Sequence, residues 1–479
     1  MDRHGTAVVL GASMAGLLAA RVLADHYRQV IVVERDRLPV KVENRRGVPQ
    51  GRHVHGLLAS GSNIVEELFP GILADMVAAG GTKLEDYARA HLQLDGVHRL
   101  SRDLVNEPIY QPSRPFLETA VRGRVRQLSN VDFRDGCDVV GLVTDGAGER
   151  VIGVRVVNHG GRAEDVLDAD LVVDATGRGS RTPAWLTALG YEPPAVDEVV
   201  VDVRYVSTLV RLAPGAVPET LVVIGASKDR PSGMGLFAYE HDTWMLTAQG
   251  YANHHPETDY ESMVDFVAEF TPPHMLEALR DAEPLGEPST FRFRANRRLR
   301  YDRLRRFPAG LLVFGDAMCS FNPIYGQGMT VAALEAVALR DCLRRGRAGL
   351  SRRFFRAAAK PIGVAWQMAV GADLALPHVD GPRPLPVRLI NAYIGRMLVA
   401  AAHDPIVATR FFRVSTFMLK PPMLMTLPII ARVVAGNRRA RRTPDPVWRT
   451  GRVTPSPSPS PSPSASPERA EAKAGMHGG

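Results

Sequence analysis

The chain has 479 residues, 45% of them hydrophobic and 23% charged, an ordinary globular composition that excludes a collagen-like, coiled-coil or wholly disordered protein. Its formal net charge is +8, from 59 Lys and Arg against 51 Asp and Glu, and all but six of the bases are arginine. That surplus is thinly spread and no aromatic residues interleave it, so nucleic acid is not expected as a partner.

The first apolar run, residues 6–10, predicts a strand, and no signal-peptide layout precedes it, so a cytoplasmic protein is expected. A turn at Gly11–Gly16, a helical pattern with Leu17, Leu18, Val22 and Leu23, and a second apolar run at 30–33 complete a right-handed βαβ unit. Runs at 151–157 and 171–174 predict further strands, the first entered from the Asp145-Gly146 turn of a hairpin or meander. Between 198 and 295 the runs 199–212, 221–225, 236–239, 244–249 and 289–293 predict successive antiparallel strands, with a helix over 260–279. The chain then returns to the first domain with a strand at 310–314 and a long helix over about 329–345. Residues 346–442 are expected as a helical layer broken by Pro361, Pro377, Pro421, Pro422 and Pro428.

The fold class expected is α/β: a doubly wound, Rossmann-like cofactor domain, an antiparallel-sheet substrate domain and a helical C-terminal layer. The boundaries read as 1–197 for the cofactor domain, with part of the substrate domain inserted near 60–110. The substrate domain follows at 198–295, the return at 296–345 and the helical layer at 346–442. The alternating Ser/Pro stretch in 443–479 cannot build a core and is expected to be a disordered tail. No run of eighteen uncharged apolar residues occurs, which argues against a spanning helix.

Chemistry concentrates at two glycine-bearing turns. Gly11-Ala-Ser-Met-Ala-Gly16 lies between strand and helix, where a dinucleotide pyrophosphate needs a sharp turn, close backbone approach and a helix N-terminus. Ser13 replaces the middle glycine of the usual pattern. Glu34, at the end of the next strand, can accept both hydroxyls of an adenosine ribose. A plain strand–helix turn with a surface glutamate is the other reading. The second turn runs from Gly315-Asp316 through Pro323, Gly326 and Gly328 to Met329, after a strand and before a helix. Asp316 can bind a ribityl chain, and backbone N–H groups with a helix N-terminus suit a group that becomes anionic, as a reduced flavin does. A loop with a helix cap is the bland alternative.

These motifs, with Arg45 in Arg-Arg-Gly-Val-Pro-Gln and Arg114 ahead of a helix, resemble those of the FAD-dependent monooxygenases built like para-hydroxybenzoate hydroxylase. The wording of residues 46–55 and 296–304 is most similar to the bacterial squalene-epoxidase-like and polyether-antibiotic epoxidase branch. The resemblance covers residues 5–345 and implies FAD as cofactor, with NAD(P)H as electron donor. It implies that Gly11, Ser13 and Gly16 hold the pyrophosphate, Glu34 the ribose, and Arg35 the adenine side. Arg45 and Arg114 would approach the phosphates and ribityl side. Asp316 would bind the ribityl chain, Gly326, Gly328 and Met329 would face the isoalloxazine, and Gly315 and Pro323 would belong to the same cofactor-binding turn. It further implies that a flavin C4a-hydroperoxide formed with O2 carries the oxygen, so no protein-borne catalytic residue is required.

One departure from the family's pattern affects the donor. Thr176 stands where an aspartate is usual in Asp174-Ala-Thr-Gly177, so a separate flavin reductase is an alternative electron source. The expected activity is epoxidation, or hydroxylation, of a hydrophobic natural-product precursor such as a polyene polyketide or terpenoid. The alternatives are an FAD-dependent prenyl or polyene reductase, or a non-catalytic flavin-fold binding protein. The Trp-x-Trp-x-Ile-Pro pattern of flavin halogenases is missing, which argues against halogenation.

Tyr205, Met234, Phe237 and Met245 are the candidates for lining the substrate pocket, with plain sheet core as the other reading. His53 and His55 lack a third ligand at suitable spacing and are read as packing or flavin-edge contacts, with no metal. Cys137, Cys319 and Cys342 show neither paired nor zinc spacing and are expected as reduced thiols. Residues 421–431, between Lys420 and the run Arg438, Arg439, Arg441, Arg442, read as a core helix before a solvated basic tail; peripheral contact with an anionic membrane is the alternative.

Overall fold

A computed structural model describes residues 4–161 and 163–441, all within one compact unit, Met1–Thr443. The expected Ser/Pro tail and Arg442 lie outside the described residues.

The amino-terminal layer is a five-stranded sheet in the order Leu311–Val313, Leu171–Asp174, His4–Leu10, Tyr27–Val33, Val131–Arg134, parallel throughout. Its inner strands are uninterrupted apolar runs because both faces are covered. Ala7, Val9, Val30 and Val32 point to one side, against the helices Met14–Ala24, Arg114–Arg126 and Gly328–Leu343. Val8, Leu10, Ile31 and Val33 point to the other, against Val151, Val154 and Val156 of a three-stranded antiparallel sheet. That small sheet contains the strand at Val151–Asn158, paired in a hairpin with Cys137–Thr144 across the Asp145-Gly146 turn. All carboxyl ends of the parallel strands emerge on one edge, where doubly wound folds bind ligands.

The second large sheet has eight strands. Val196–Arg211 is its spine, flanked by Ser289–Leu299 and Trp244–Tyr251, and beyond the latter lie Ser232–Ala238, Leu221–Ile224 and Ala90–Gln93. Ala90–Gln93 comes from the 60–110 segment and pairs in parallel with Leu221–Ile224. One face of this sheet carries Val206, Val210, Met234, Leu236, Leu246 and Ala248 and packs on two helices, Tyr260–Ala268 and Pro273–Arg280. The single helix expected over 260–279 is divided because Pro272 and Pro273 interrupt the backbone ladder there.

The C-terminal layer begins with a 24-residue helix, Leu350–Asp373, which runs through Pro361 without ending. An interior proline costs about 3 kcal/mol. Burial of Phe354, Phe355, Ala358, Ile362, Ala365 and Ala369 against the parallel-sheet layer offsets it. Three further helices, Leu385–Ala401, Pro405–Ser415 and Leu427–Ala440, pack together on Ala90, Leu92 and Leu221 at the edge of the eight-stranded sheet. The last buries Ile429, Val433 and Gly436 but leaves Leu427 82% exposed. No helix among the described residues is long and apolar enough to cross a membrane.

Candidate functional site

The Gly11 turn forms a cradle that side chains would fill. Gly11 sits at φ +100°, and a Cβ there would lie 2.7 Å from the Ala175 carbonyl oxygen; one on Gly16 would lie 1.8 Å from the Gly11 carbonyl oxygen. Only glycine permits that approach of helix to strand. Ser13 is the N-cap residue of Met14–Ala24, yet its hydroxyl makes no capping bond and no acidic residue occupies the first helical turn. The first N–H groups of this helix are therefore left for a ligand, at the positive end of its dipole.

Instead of capping, Ser13 accepts a 2.6 Å hydrogen bond from Arg114 Nη2 and donates at 3.2 Å to Glu118 Oε2. Glu118 is the hub of a buried charge cluster that sequence reading passed over. Arg45 Nε reaches it at 2.6 Å, Arg114 at 3.3 Å and Arg122 at 3.5 Å. Burial pushes the Glu118 carboxyl up, but Arg114 and Arg45 outweigh it and hold the group below its ordinary range. Arg114, Glu118 and Arg122 are spaced four apart on one helix, and that i,i+4 pattern was the available signal.

Glu34 is buried at the end of Tyr27–Val33 and accepts from the backbone N–H of Ala12 at 2.8 Å and of Asp36 at 3.0 Å. Arg45 lies 3.3 Å from it. Arg35 is exposed at the rim. The Arg45 Nη2 and Arg114 Nε atoms are buried without a hydrogen-bond partner among the described residues. Guanidinium donors left open beside a glycine cradle and an uncapped helix end suit a pyrophosphate.

The second turn closes the crevice from the neighbouring strand. Gly315, at φ +66°, follows Leu311–Val313, and its Cβ position lies 2.6 Å from Ala15, so the two turns touch. The Asp316 carboxyl is pushed up by burial, with Arg114 and Arg178 opposing, and lies beside the Gly177 turn. Pro323 opens a 3₁₀ turn that ends at Gly326, in the left-handed region at φ +62°. Gly328 and half-buried Met329 begin the 16-residue helix Gly328–Leu343, whose N-terminus has neither a side-chain cap nor an acid in its first turn. This second uncapped helix end also borders the crevice, through Gly328, 3.9 Å from Asp316 Oδ1 at its Cβ position. The residues present therefore fit FAD, with donors and positive helix ends for its anionic parts and carboxylates for its hydroxyls.

Asp174, in the turn where Thr176 replaces the usual aspartate, is fully buried. It accepts from Thr176 N at 3.0 Å and from the hydroxyls of Thr176, Ser180 and Thr182 at 2.5 Å. Thr176 is thus spent on shaping the turn. Arg178, from the same turn, lies 4.8 Å over the Phe293 ring.

Beside the crevice stands the second face of the eight-stranded sheet. Register puts Tyr205 opposite Gln249, Ser207 opposite Thr247, and Phe237 opposite Met245, all on this face. Residues 53–56 lie against it: Val54 N donates to Thr247 Oγ1 at 3.0 Å, and Phe237 touches the Gly56 position at 3.3 Å. Met234 does not belong here. Three residues from Phe237, it points to the opposite side, where Thr271 Oγ1 donates to its sulfur at 3.1 Å. Met234 is core between sheet and helices, correcting its candidacy for the pocket.

Two polar residues on this face were not singled out for it. Buried Gln249 has both side-chain atoms without partners among the described residues. His53 Nδ1 is 2.7 Å from Ser207 Oγ, while its Nε2 has no partner. Its ring lies 5.6 Å from Phe291 and 6.2 Å from Tyr205, and burial lowers its pKa to about 4, so it is neutral. His55, lowered to about 3 by burial and by Arg114, has its Nδ1 2.8 Å from the His53 carbonyl oxygen.

A buried knot joins the three layers behind Pro323. Asp373, at the end of the long C-terminal helix, accepts from Asn296 Nδ2 at 2.7 Å, Asn322 Nδ2 at 2.9 Å and Tyr325 OH at 2.7 Å. The Tyr205 hydroxyl donates to Asn322 Oδ1. This network holds the Pro323–Tyr325 turn in place, and Tyr205 serves it from the sheet. Sequence alone held no signal for it, because its members come from four distant segments.

Comparison with known proteins bears on the same region. The family model described as FAD binding domain matches residues 5–349. Protein Rv3254 of Mycobacterium tuberculosis (strain ATCC 25618 / H37Rv) is 41% identical over 453 residues, covering 90% of this chain and 94% of that protein. Among solved structures, the flavin-dependent brominase Bmp2 superposes with a TM-score of 0.63 at 14% identity, over 91% of this chain and 99% of its own. PqsL of Pseudomonas aeruginosa, a probable FAD-dependent monooxygenase, gives 0.58 at 19% identity, over 87% of this chain and 100% of its own. At those identities the structural likeness concerns the fold.

Proposed function

Since the chain belongs to the FAD binding domain family, we propose that it is an FAD-dependent monooxygenase that epoxidises, or hydroxylates, a hydrophobic natural-product precursor such as a polyene polyketide or terpenoid. The squalene-epoxidase-like branch is the finer assignment within that reading. The observation that carries it is the juxtaposition of two unlike surfaces: a crevice of glycine cradles, arginines and uncapped helix ends, and beside it an apolar sheet face bearing Phe237, Met245 and Phe291.

FAD, when bound, supplies the redox chemistry that activates O2. The chain's own residues bind, orient and exclude water. The Gly11–Gly16 turn with Arg45 and Arg114 takes the pyrophosphate, Glu34 the ribose and Asp316 the ribityl hydroxyls. The Gly326–Met329 helix start stabilises negative charge on the isoalloxazine side. The Asp373 knot fixes that loop, so its N–H groups need no reorganisation when charge develops. Around the substrate, the aromatic and aliphatic lining keeps water out, and Gln249 and His53 Nε2 offer the few polar contacts that orient it. A neutral His53 is available there as donor or acceptor across the physiological range.

NAD(P)H as the electron donor, directly or through a flavin reductase, belongs to the same proposal. Exposed Met425 and Leu427, at the start of a helix whose last turn carries Arg438 and Arg439, support peripheral contact with an anionic membrane, for which flotation with anionic vesicles is the test.

The decisive experiment is turnover of polyene or terpenoid candidates under 18O2. One labelled oxygen per product, together with a rapid reaction of the reduced protein with O2, is the expected result. Turnover without oxygen would identify a reductase instead, and slow reoxidation with no product would identify a binding protein. Each would overturn the monooxygenase reading.

A further inference from the structure

A cleft of about 640 Å³ opens at the other end of the parallel sheet. Tyr27, Leu171 and Gly310 line it at or just before the starts of three strands, whereas Gly11, Glu34 and Gly315 all follow strand ends. A seven-residue strand spans roughly 20 Å, so the cleft is separate from the FAD crevice.

We propose that this cleft is a second binding site, for a small phosphorylated metabolite of nucleotide size. Its phosphates would be held by an arginine rim and its hydroxyls by two buried tyrosines. Arg150, Arg303, Arg305, Arg306, Arg352 and Arg356 line it, and none of the six makes an ion pair among the described residues. Three carboxylates share the cleft: Asp170 is engaged by Arg347 at 3.2 Å, Asp302 by Arg300 at 2.8 Å, and Glu149 makes no ion pair among the described residues. Six guanidiniums against the one unpaired carboxylate of Glu149 leave the concavity with an excess of positive charge, and their planar forks match phosphate oxygens. A cleft of this size lies within the usual range for small-ligand sites.

The floor supplies an independent observation. Tyr27 and Tyr301, 0% and 3% exposed, both line the cleft, and the hydroxyl oxygen of each is buried without a partner among the described residues. Buried hydroxyls are rarely left unsatisfied; both are covered in the empty cleft, so a ligand oxygen would satisfy them only as the side chains above them move aside. Tyr301 is fixed in place, stacked on Phe355 at 5.4 Å and edge-on to Phe307 at 6.0 Å. Burial pushes the Tyr27 pKa up to about 12, so its hydroxyl stays a donor at neutral pH.

The test is calorimetric titration of the full chain saturated with FAD, so that the adenosine site is occupied, using ADP and inorganic pyrophosphate at ~0.15 M salt. One equivalent of ADP should bind more tightly than pyrophosphate. The Arg305→Glu/Arg306→Glu pair should weaken ADP at least tenfold, and Tyr301→Phe several-fold, with the flavin spectrum unchanged. Absence of ADP binding would overturn the proposal. So would equal binding of both probes with no effect of Tyr301→Phe, which would mean bulk charge alone. Displacement of FAD by ADP would assign the binding to the crevice and overturn it equally. Failure of the flavin reading is separable, because a protein that never retains FAD could still bind ADP through the arginine rim.

Discussion

The crevice and the neighbouring sheet face are built on opposite principles. In the crevice, charge is dense and largely paired: Glu118 alone engages three guanidiniums and the Ser13 hydroxyl, and the donors left open, Arg45 Nη2 and Arg114 Nε, lie beside the glycine cradle. On the sheet face polar atoms are few, and those of Gln249 and His53 Nε2 stand open. A cofactor of fixed structure permits a site committed in advance, down to single glycines. The hydrophobic substrate we propose would leave little to specify except shape and one or two polar contacts.

Breaking the committed half should have the largest effect. Gly11→Val sets a branched Cβ against the Ala175 carbonyl at a φ of +100°, and the purified variant should be folded by circular dichroism yet colourless. A yellow, stoichiometrically loaded variant would contradict the cradle. Glu118→Ala leaves three buried arginines without their shared carboxylate, and urea unfolding should show a loss of about 3–5 kcal/mol. A loss below 1 kcal/mol would mean the cluster is solvated rather than committed.

A buried acid beneath the second turn sharpens the contrast through pH. Glu335 accepts from Gly315 N at 2.7 Å, and burial raises its pKa to about 8. An acid whose folded value lies above its unfolded one destabilises the fold as it ionises. Stability is then undiminished below the unfolded pKa, falls as pH rises from about 4.5 toward 8, and levels above that. The fall should be of the order of a few kcal/mol. Glu335→Gln should flatten this part of the pH–stability curve, measured by thermal melts; an unchanged slope would refute the assignment.

On the open half the effects should be smaller and confined to substrate. Gln249→Leu should leave FAD affinity intact and change KM about tenfold, the worth of roughly one hydrogen bond. An unaltered KM with raised stability would make Gln249 a plain unsatisfied core group. Smallest of all, Met234→Leu should cost less than about 1.5 kcal/mol and leave turnover alone, because the side chain packs on the helices. A marked change in KM would put the pocket on the wrong side of the sheet.

Cofactor chemistry was legible because its demands are local. A turn glycine, a helix start and a strand-end carboxylate lie within one βαβ unit, so Gly11, Gly16 and Glu34 could be read from spacing. The substrate half depends on register, which composition does not carry. Met234 and Phe237 look alike as apolar strand residues, and only strand parity separates core from pocket. Pro361 was legible as a helix breaker by propensity alone, and tertiary packing overrode it.

By itself the sequence determined the α/β class, the two glycine-bearing turns and the family, since each follows from contiguous residues obeying short-range geometry. Only the tertiary structure decided which sheet face meets the crevice and how Asp373 reaches Asn322. It alone gathered six arginines from three segments around a common hollow. Such arrangements join groups distant in the chain, and the closure that joins them is written in packing rather than in any local pattern.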